Sequence, residues 1–297
     1  MYSVNHNKVS NVLEVESPNK KLYAKIYLDE GASLQELTLS GQAIIQDLSP
    51  LTYANTYASS ILFPFANRVK GGVYTFEGDT YQLEANQREE HNALHGLVYN
   101  KTFSVVDGQV DVNSATLILE YNETNASVGF PYTYHIQLKY VFSQEGLSLG
   151  VIVKNTSSKA FPFTLGWHPY FCSDNLYESE IQMDSSQKIV LGEGNITKGV
   201  EKTNTESPLK IKDQQLDDCW ILNSDEVVFK TPKYHLQFNA TGDNNYLQLY
   251  TPPKTNTIAI EPTTGVSDSL NNKIGLQILQ PNEAHNMEWR LKIKEDH

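Results

Sequence analysis

The sequence predicts a mostly β protein with high antiparallel content, built from stacked sheets with few short helices. Segments in which apolar and polar residues alternate recur along the whole chain, and short turn sequences separate them. No apolar stripe at helical spacing is sustained over three or more turns. The 17 tyrosines and 11 phenylalanines suit half-buried pleated surfaces, where aromatic side chains are enriched. Together these features favour packed sheets over helices.

Four stretches predict pairs of strands, in chain order. Residues 21–31 (KLYAKIYLDEG) and 72–86 (GVYTFEGDTYQLEAN) alternate and contain Asp and Gly, which favour turns. Residues 134–155 (YHIQLKYVFSQEGLSLGVIVKN) predict two strands joined at Gln-Glu-Gly. Residues 234–252 (YHLQFNATGDNNYLQLYTP) predict a further hairpin around Gly-Asp-Asn-Asn.

The first strand of the third pair predicts part of the core. Its apolar residues lie two apart, so their side chains share one face of the strand. We expect five of them to be buried: Tyr134, Ile136, Leu138, Tyr140 and Phe142.

The domain prediction is a single unit over residues 1–297. The length exceeds the usual domain size of roughly 100 to 200 residues, but all-β domains often extend further as one unit. Two domains are also compatible with the length. Because no low-complexity linker, charge block or repeat divides the sequence, one domain is favoured.

Composition narrows the class of partner. A net charge of -12 argues against nucleic acids and anionic membrane surfaces, which require clustered Lys and Arg. Since the sequence has no membrane-length apolar run and no signal peptide pattern, we expect a cytoplasmic protein with reduced Cys172 and Cys219. Arg68, Arg88 and Arg290 are the only arginines, which favours neutral over phosphorylated small molecules as ligands.

Several titratable residues follow or end apolar runs, where a sheet exposes functional side chains to a cleft. They lie in FPFANRVKGG (Arg68), NALHGLVY (His95), LGWHPYF (His168), LDDCW (Asp217, Asp218) and IAIEPTTGVSD (Glu261). Each also has a structural explanation when taken alone, such as a turn at His95 or a surface salt bridge at Arg68. Adjacent residues of a strand face opposite sides, so at most one of Asp217 and Asp218 is expected in a given site.

His168 and Glu261 are the best candidates for proton transfer. Pro169 biases His168 toward an extended backbone, and its aromatic neighbours indicate a partly dry setting. Such a setting lowers the pKa of the imidazole from about 6.5 unless an acid compensates. Glu261 follows the apolar residues TIAI, so a buried carboxylate with a partner or a catalytic use is expected.

We expect neither a metal nor another cofactor. HExxH is absent, and the stretch that holds His91 and His95 is not clearly helical. The sequence also lacks a G-x-S-x-G elbow and a Gly-rich phosphate loop. A histidine and a carboxylate without a cofactor suit general acid and base catalysis.

In this order the motifs resemble those of the aldose 1-epimerases, or galactose mutarotases, and in particular the broad bacterial branch of that family. The similar pieces are residues 61–86, NALHGLV, GWHPYF, LDDCW and IAIEP, which together span residues 61 to 262. The resemblance implies a large antiparallel β-sandwich, the galactose mutarotase-like supersandwich. It also implies a sugar bound in an open cleft on one sheet.

The resemblance assigns the acid and the base. His168 matches the general acid that protonates the ring oxygen, and Glu261 matches the base that takes the proton of the anomeric hydroxyl. The ring opens to the aldehyde, and rotation about C1–C2 followed by closure delivers the other anomer. We expect the nearby carboxylate to stabilise His168 as a cation, and Trp167 and Pro169 to hold its backbone and limit water.

The resemblance also assigns substrate-binding residues. Arg68 and His95 match residues that hydrogen-bond the sugar, and Asp217 rather than Asp218 matches one that fixes its hydroxyls. Asn67, beside Arg68, is expected to support the site.

The implied function is that of an isomerase, a cofactor-independent aldose 1-epimerase acting on a free aldohexose such as glucose or galactose. Two alternatives stay open: a hexose-6-phosphate 1-epimerase and a non-catalytic sugar-binding module. The sugar itself is not determined, because CSDN after LGWHPYF and Trp220 in LDDCW depart from the usual galactose mutarotase motifs. A monomer and a homodimer are both compatible with the sequence.

Overall fold

A computed structural model of the chain describes residues 1–144, 146–242 and 245–294. Its strands, in chain order, are β1 (Ser3–Asn7), β2 (Val12–Glu16), β3 (Tyr23–Tyr27), β4 (Ser33–Leu39), β5 (Gln42–Ile45), β6 (Ile61–Leu62), β7 (Arg68–Val69), β8 (Val73–Phe76), β9 (Asp79–Gln82), β10 (Ala93–Leu94), β11 (Ser104–Val110), β12 (Ser114–Glu123), β13 (Tyr134–Ser143), β14 (Gly146–Asn155), β15 (Phe161–Phe163), β16 (Gly166–Trp167), β17 (Tyr170–Cys172), β18 (Glu180–Leu191), β19 (Thr197–Lys202), β20 (Leu209–Lys210), β21 (Asp217–Lys230), β22 (His235–Ala240), β23 (Tyr246–Tyr250), β24 (Thr257–Thr263), β25 (Gln277–Leu279) and β26 (Ala284–Lys294).

Helices are few and short in the part of the chain that the structure describes, as the sequence predicts. The α-helices there are α1 (Tyr53–Thr56) and α2 (Ser269–Asn272), and single 3₁₀ turns cover Lys70–Gly72, Leu176–Glu178 and Glu193–Asn195. None of the helices in these ranges is long and apolar enough to cross a bilayer.

The strands form two main antiparallel sheets. Strands β1 to β5 pair in chain order in a five-stranded sheet. Fifteen strands form the second sheet, with the central order β11-β12-β13-β14-β26-β22-β21-β23-β24-β16-β6. The mostly antiparallel β architecture predicted from the alternating segments is therefore confirmed.

The hairpin of β13 and β14 has the predicted register and burial. Tyr134 pairs with Asn155 at one end and Ser143 with Gly146 at the other, while Glu145 of the predicted turn lies outside the described residues. All five side chains predicted for the core face are at most 1% exposed. Burying a large apolar side chain contributes about 1.5–3 kcal/mol, so this face anchors the large sheet. The hairpin predicted within residues 72–86 is also present, as β8 and β9.

The hairpin predicted for residues 234–252 is wrong, although both of its strands exist. Strand β22 pairs with Glu226–Lys230 and β23 with Asp217–Ile221, both antiparallel to β21. Strands β22 and β23 therefore run in the same direction and follow one another along β21. At 14 residues, β21 is long enough to pair with both. Asp243 and Asn244 of the predicted turn lie outside the described residues.

A continuous hydrophobic cluster joins the two main sheets. It contains Leu13 and Ile26 from the five-stranded sheet and Leu138, Leu149 and Trp289 from the large one. The prediction of a single domain is compatible with this shared core and stays a prediction.

Candidate active site

His168 and Glu261 lie close together because two short strands, β16 and β17, pair one after the other along the same side of strand β24. Gly166 in β16 pairs with Thr263, and Tyr170 in β17 pairs with Ala259, so the link between β16 and β17 passes beside Glu261 in β24. His168 Nε2 lies 3.5 Å from Glu261 Oε1. The structure thus brings together the predicted acid and base, which are 93 residues apart in the sequence.

The backbone of His168 is held by hydrogen bonds to the segment before β6. The His168 N–H donates to the Ser60 carbonyl at 3.1 Å, and the Ser59 N–H donates to the His168 carbonyl at 2.8 Å. Proline at position 169 keeps the residue before it extended, which suits such strand-like bonds. The position of the imidazole is therefore defined by the fold.

Two rings, different from those predicted, shield the imidazole from water. Tyr170 stacks on His168 with ring centroids 4.9 Å apart, and His95 meets it edge-on at the same distance. Trp167 instead packs in the core against Trp289, because adjacent residues of a strand face opposite sides. His168 and Glu261 are 4% and 3% exposed, so the pair is almost completely dry.

Burial determines the protonation of the pair. Desolvation lowers the pKa of His168 to about 3 and raises the pKa of Glu261 well above its usual range. The negative charge of Asp217 raises the pKa of Glu261 further, whereas the positive charge of Arg68 opposes the rise. The prediction that the carboxylate would hold His168 as a cation is therefore wrong, because burial shifts the pKa of each group toward its uncharged form. Burial thus favours the neutral form of both groups.

Arg68 is half-buried beside the pair and is held from two sides. Its Nη1 donates to Asn67 Oδ1 at 3.0 Å, and its Nε donates to Glu90 Oε2 at 3.3 Å. The positive charge of Arg68 lowers the pKa values of His95, Asp217 and Glu261. Asn67 thus holds the Arg68 guanidinium, and its expected role in the site stays a prediction.

His95 reaches the site through the short ladder of β7 and β10. Leu94 pairs with Arg68, and the His95 N–H donates to the Asn67 carbonyl at 2.9 Å. His95 itself has a left-handed backbone, with φ of 60°. Its ring lies between those of Tyr57 and His168, both at a centroid distance of 4.9 Å. His95 therefore adopts a turn conformation and also contacts His168.

The burial of His95 predicts acid sensitivity of the fold. Desolvation, followed by the charges of His168 and Arg68, lowers the pKa of His95 well below its usual range. Below about pH 6.5 the unfolded chain binds a proton at this residue that the folded chain does not, so stability falls as the pH falls. We expect His95→Asn to reduce the loss of unfolding free energy between about pH 7 and pH 5 by about 2 kcal/mol.

Urea unfolding at the two pH values measures this effect. His91→Asn is the matched control, because His91 is exposed. An equal acid-induced loss in His95→Asn and the wild type would contradict the burial argument.

Asp217 and Asp218 lie on opposite faces of β21, as adjacent strand residues must. Asp217 accepts hydrogen bonds from Gln248 Nε2 at 2.8 Å and from Asn195 Nδ2 at 2.7 Å. Asp218 instead pairs with Lys188 at 2.7 Å. Asp217 is therefore the aspartate on the side of Glu261, and burial raises its pKa.

Sequence reasoning missed several residues of the site: Tyr57, Glu90, Tyr170, Asn195 and Gln248. Gln248 pairs across the strands with Glu261 and is only 5% exposed. A polar residue inside the apolar run YLQLY is the signal that could have identified it. Asn195 and Glu90 lie in polar stretches of the sequence, and no local pattern distinguishes them from other surface residues.

The described residues contain no group of three or more His, Cys, Asp or Glu side chains arranged to hold a metal ion.

A separate cavity of about 510 Å³ lies near Tyr99 and Tyr134, and none of the predicted site residues lines it.

Sequence comparison identifies relatives over nearly the whole chain. The family model described as Aldose 1-epimerase matches residues 13–292. The uncharacterized protein YihR of Escherichia coli (strain K12) is 26% identical over 269 residues, which cover 86% of each chain. A protein named maltose epimerase from Levilactobacillus brevis is 26% identical over 182 residues, 57% of this chain and 53% of that protein.

Solved structures share the fold. A galactose mutarotase-like protein from Clostridium acetobutylicum superposes with a TM-score of 0.87 at 18% identity, covering 100% of this chain and 99% of that one. A galactose 1-epimerase from Lactobacillus acidophilus NCFM has a TM-score of 0.78 at 18% identity and the same coverage. The predicted galactose mutarotase-like fold is thereby confirmed.

Proposed function

Because this chain belongs to the aldose 1-epimerase family, we propose that it interconverts the α and β anomers of a free aldohexose by general acid and base catalysis. The observation that carries the proposal is the buried contact of 3.5 Å between His168 Nε2 and Glu261 Oε1. The ring oxygen and the anomeric hydroxyl are bonded to the same carbon, so the two groups that serve them must lie this close together.

Ring opening needs one proton to leave the sugar and one to arrive. Glu261 takes the proton of the C1 hydroxyl, the bond between C1 and the ring oxygen breaks, and the ring oxygen receives the proton of His168. Because burial favours neutral His168, opening first requires a proton to pass from Glu261 to His168 across their 3.5 Å contact, and closure after rotation about C1–C2 returns the proton to His168. The two groups exchange the roles of acid and base between opening and closure, so the pair can work in both directions.

The polar side chains around the pair suit a hydroxyl-rich ligand. Arg68 and His95 would donate hydrogen bonds to the sugar, and Asp217 would accept them from its hydroxyls. Asn67 holds the Arg68 guanidinium, while the amides of Gln248 and Asn195 orient Asp217. These fixed partners leave little rearrangement to be made when sugar binds.

Charge favours a free sugar over a sugar phosphate. Asp217, Glu90 and Glu261 all lie near Arg68, whose guanidinium already bonds Asn67 and Glu90. A phosphate dianion bound here would be surrounded by carboxylates, and the Arg68 guanidinium that could bind it is already bonded to Asn67 and Glu90. We therefore expect glucose or galactose to be a better substrate than glucose 6-phosphate.

Anomeric exchange measured by NMR tests the proposal. Pure α-glucose, α-galactose, maltose and glucose 6-phosphate are compared with and without enzyme at equal concentration. Maltose is included because one relative is named a maltose epimerase. We expect acceleration for a free sugar that exceeds that for glucose 6-phosphate at least about tenfold, equivalent to about 1.4 kcal/mol of transition-state binding.

The two alternative functions give different results in the same experiment. Faster exchange of glucose 6-phosphate than of glucose would identify a phosphosugar epimerase. Saturable sugar binding in calorimetry without exchange of any anomer would identify a non-catalytic binding module.

A further inference from the structure

The ring of His95 is placed by its neighbours and not by a hydrogen bond of its own. His95 is 8% exposed, and its buried Nδ1 has no hydrogen-bond partner among the described residues. A hydrogen bond at the second ring nitrogen commonly fixes the orientation of a functional histidine. Here the ring instead packs against Tyr57 and His168. The direction of the imidazole therefore depends on what holds Tyr57 and the backbone at position 95.

Both of those backbones need support from the surrounding structure. His95 has φ of 60° and Tyr57 has φ of 52°, left-handed values that cost free energy for residues other than glycine. Such conformations persist only where neighbouring groups fix them. The side chain of Asn86 is bonded to the residue before His95 and also to Tyr57. It is therefore placed to fix the two residues relative to each other.

The Asn86 carboxamide makes its bonds on both sides of His95. Its Oδ1 accepts from the Leu94 N–H at 2.7 Å, and its Nδ2 donates to the Leu94 carbonyl at 2.9 Å. Nδ2 also donates to the hydroxyls of Tyr57 and Tyr99, at 3.2 and 3.4 Å. Only one orientation of the amide turns its oxygen to the N–H and its nitrogen to the carbonyl. Asn86 thereby links the backbone beside His95 to the ring that packs on it.

Asn86 is separate from the side chains that surround the acid and base. It lines the cavity of about 510 Å³, together with Gly96 and Leu97, and none of the predicted site residues lines that cavity. None of its hydrogen bonds goes to a predicted site residue within the described ranges. Any effect of Asn86 on catalysis must therefore pass through the residues that it holds.

We propose that Asn86 is the positioning residue of His95, holding the backbone beside it and the Tyr57 ring against it, so that the imidazole meets the sugar in one orientation. The inference rests on the proposed epimerase function, in which His95 donates a hydrogen bond to the sugar. Placement matters because a displacement of about 1 Å can lower a rate about a hundredfold. Asn86 then contributes to activity only while His95 is present.

A double-mutant cycle between Asn86 and His95 tests this dependence. Asn86→Leu keeps the approximate shape of the side chain and removes all of its hydrogen bonds. We expect it to lower kcat/KM for exchange of α-glucose or α-galactose, whichever is faster, about tenfold or more. In the His95→Asn background the same change should lower kcat/KM about twofold or less. Equal losses in the two backgrounds would overturn the proposal, because a general structural defect acts whether or not His95 is there.

Tyr57→Phe tests one arm of the link and serves if Asn86→Leu does not fold. It keeps the ring that packs on His95 and removes only the hydroxyl that Asn86 bonds. We expect a loss of about threefold in kcat/KM that disappears in the His95→Asn background. A loss of the same size in both backgrounds counts against the proposal.

Asn155→Leu is the matched control for removing a carboxamide that bonds to backbone. Asn155 is fully buried, and its Nδ2 donates to two backbone carbonyls at 2.8 and 2.9 Å, neither of them in the site. We expect Asn155→Leu to lower the midpoint of urea unfolding while kcat/KM of the folded protein stays within about twofold of the wild type. If it lowers kcat/KM as much as Asn86→Leu, destabilisation explains both losses and the positioning role is refuted.

NMR of histidine-labelled protein separates this inference from the epimerase function. If no sugar shows exchange, the epimerase function fails, and the ring signal of His95 decides the role of Asn86. That signal, assigned by its loss in His95→Asn, should shift in both Asn86→Leu and Tyr57→Phe, whereas the signal of His6 in β1 should not. A His95 signal that stays in place in both variants would overturn the positioning role.

Discussion

Replacing Glu261 with glutamine is expected to lower enzyme-accelerated anomeric exchange by about a thousandfold or more. Glutamine has nearly the same shape, but its amide cannot take the proton of the anomeric hydroxyl, and one such proton transfer contributes about 10² to 10⁴ to a rate. Glu261 is 3% exposed and its pKa is raised by burial, so the fold does not depend on its charge. We therefore expect the unfolding free energy at neutral pH to be equal or higher.

His168→Asn should have an effect of similar size, since it removes the partner that serves the ring oxygen. Glu36→Gln is the matched control for the change from carboxylate to amide, because Glu36 lies in the five-stranded sheet, away from the site, and pairs with Lys25 at 3.0 Å. NMR exchange rates of a fresh anomer at fixed pH and enzyme concentration provide the comparison. Exchange within about threefold of the wild type in both site variants would show that the pair does not move protons.

Gly96→Ala is expected to destabilise the protein by about 4 kcal/mol or more, which is among the largest effects of single substitutions. A Cβ at position 96 would lie 2.2 Å from the Phe63 carbonyl oxygen and 2.6 Å from its carbon. Both contacts are with backbone, which cannot rotate away as a flexible side chain would. Phe63 is fully buried in an aromatic cluster with Tyr134 and Phe161, so its backbone has little room to shift.

Gly41→Ala separates the clash from the strain of a left-handed backbone. Gly41 has φ of 80°, close to the 78° of Gly96, but a Cβ there meets no atom within 4 Å. We expect Gly41→Ala to cost about 1 kcal/mol, so the difference between the two variants measures the contact with Phe63. Guanidinium unfolding curves of both proteins check the prediction, and similar midpoints would contradict it. In Gly96→Ala, displacement of the neighbouring His95 should also reduce activity.

The structure changes the electrostatics expected from the sequence more than it changes the residues of the site. Each predicted site residue lies around the same centre, and the alternation of strand side chains already separates Asp217 from Asp218. The sequence predicts a cationic His168, whereas burial lowers the pKa of its imidazole to about 3. Desolvation depends on how completely Tyr170, His95 and the strands around β24 exclude water, and of these only Tyr170 lies near His168 in the sequence.

By itself, the sequence determined the strands, the core face of β13 and the motifs that mark the site, because side-chain alternation and turn composition are local properties of a chain. Only the tertiary structure decided that β22 and β23 run on along β21 without forming a hairpin. It also decided the 3.5 Å contact of His168 with Glu261. Pairing partners and burial are set by segments distant in sequence, so local patterns predict which residues can form a strand and not what will lie beside it.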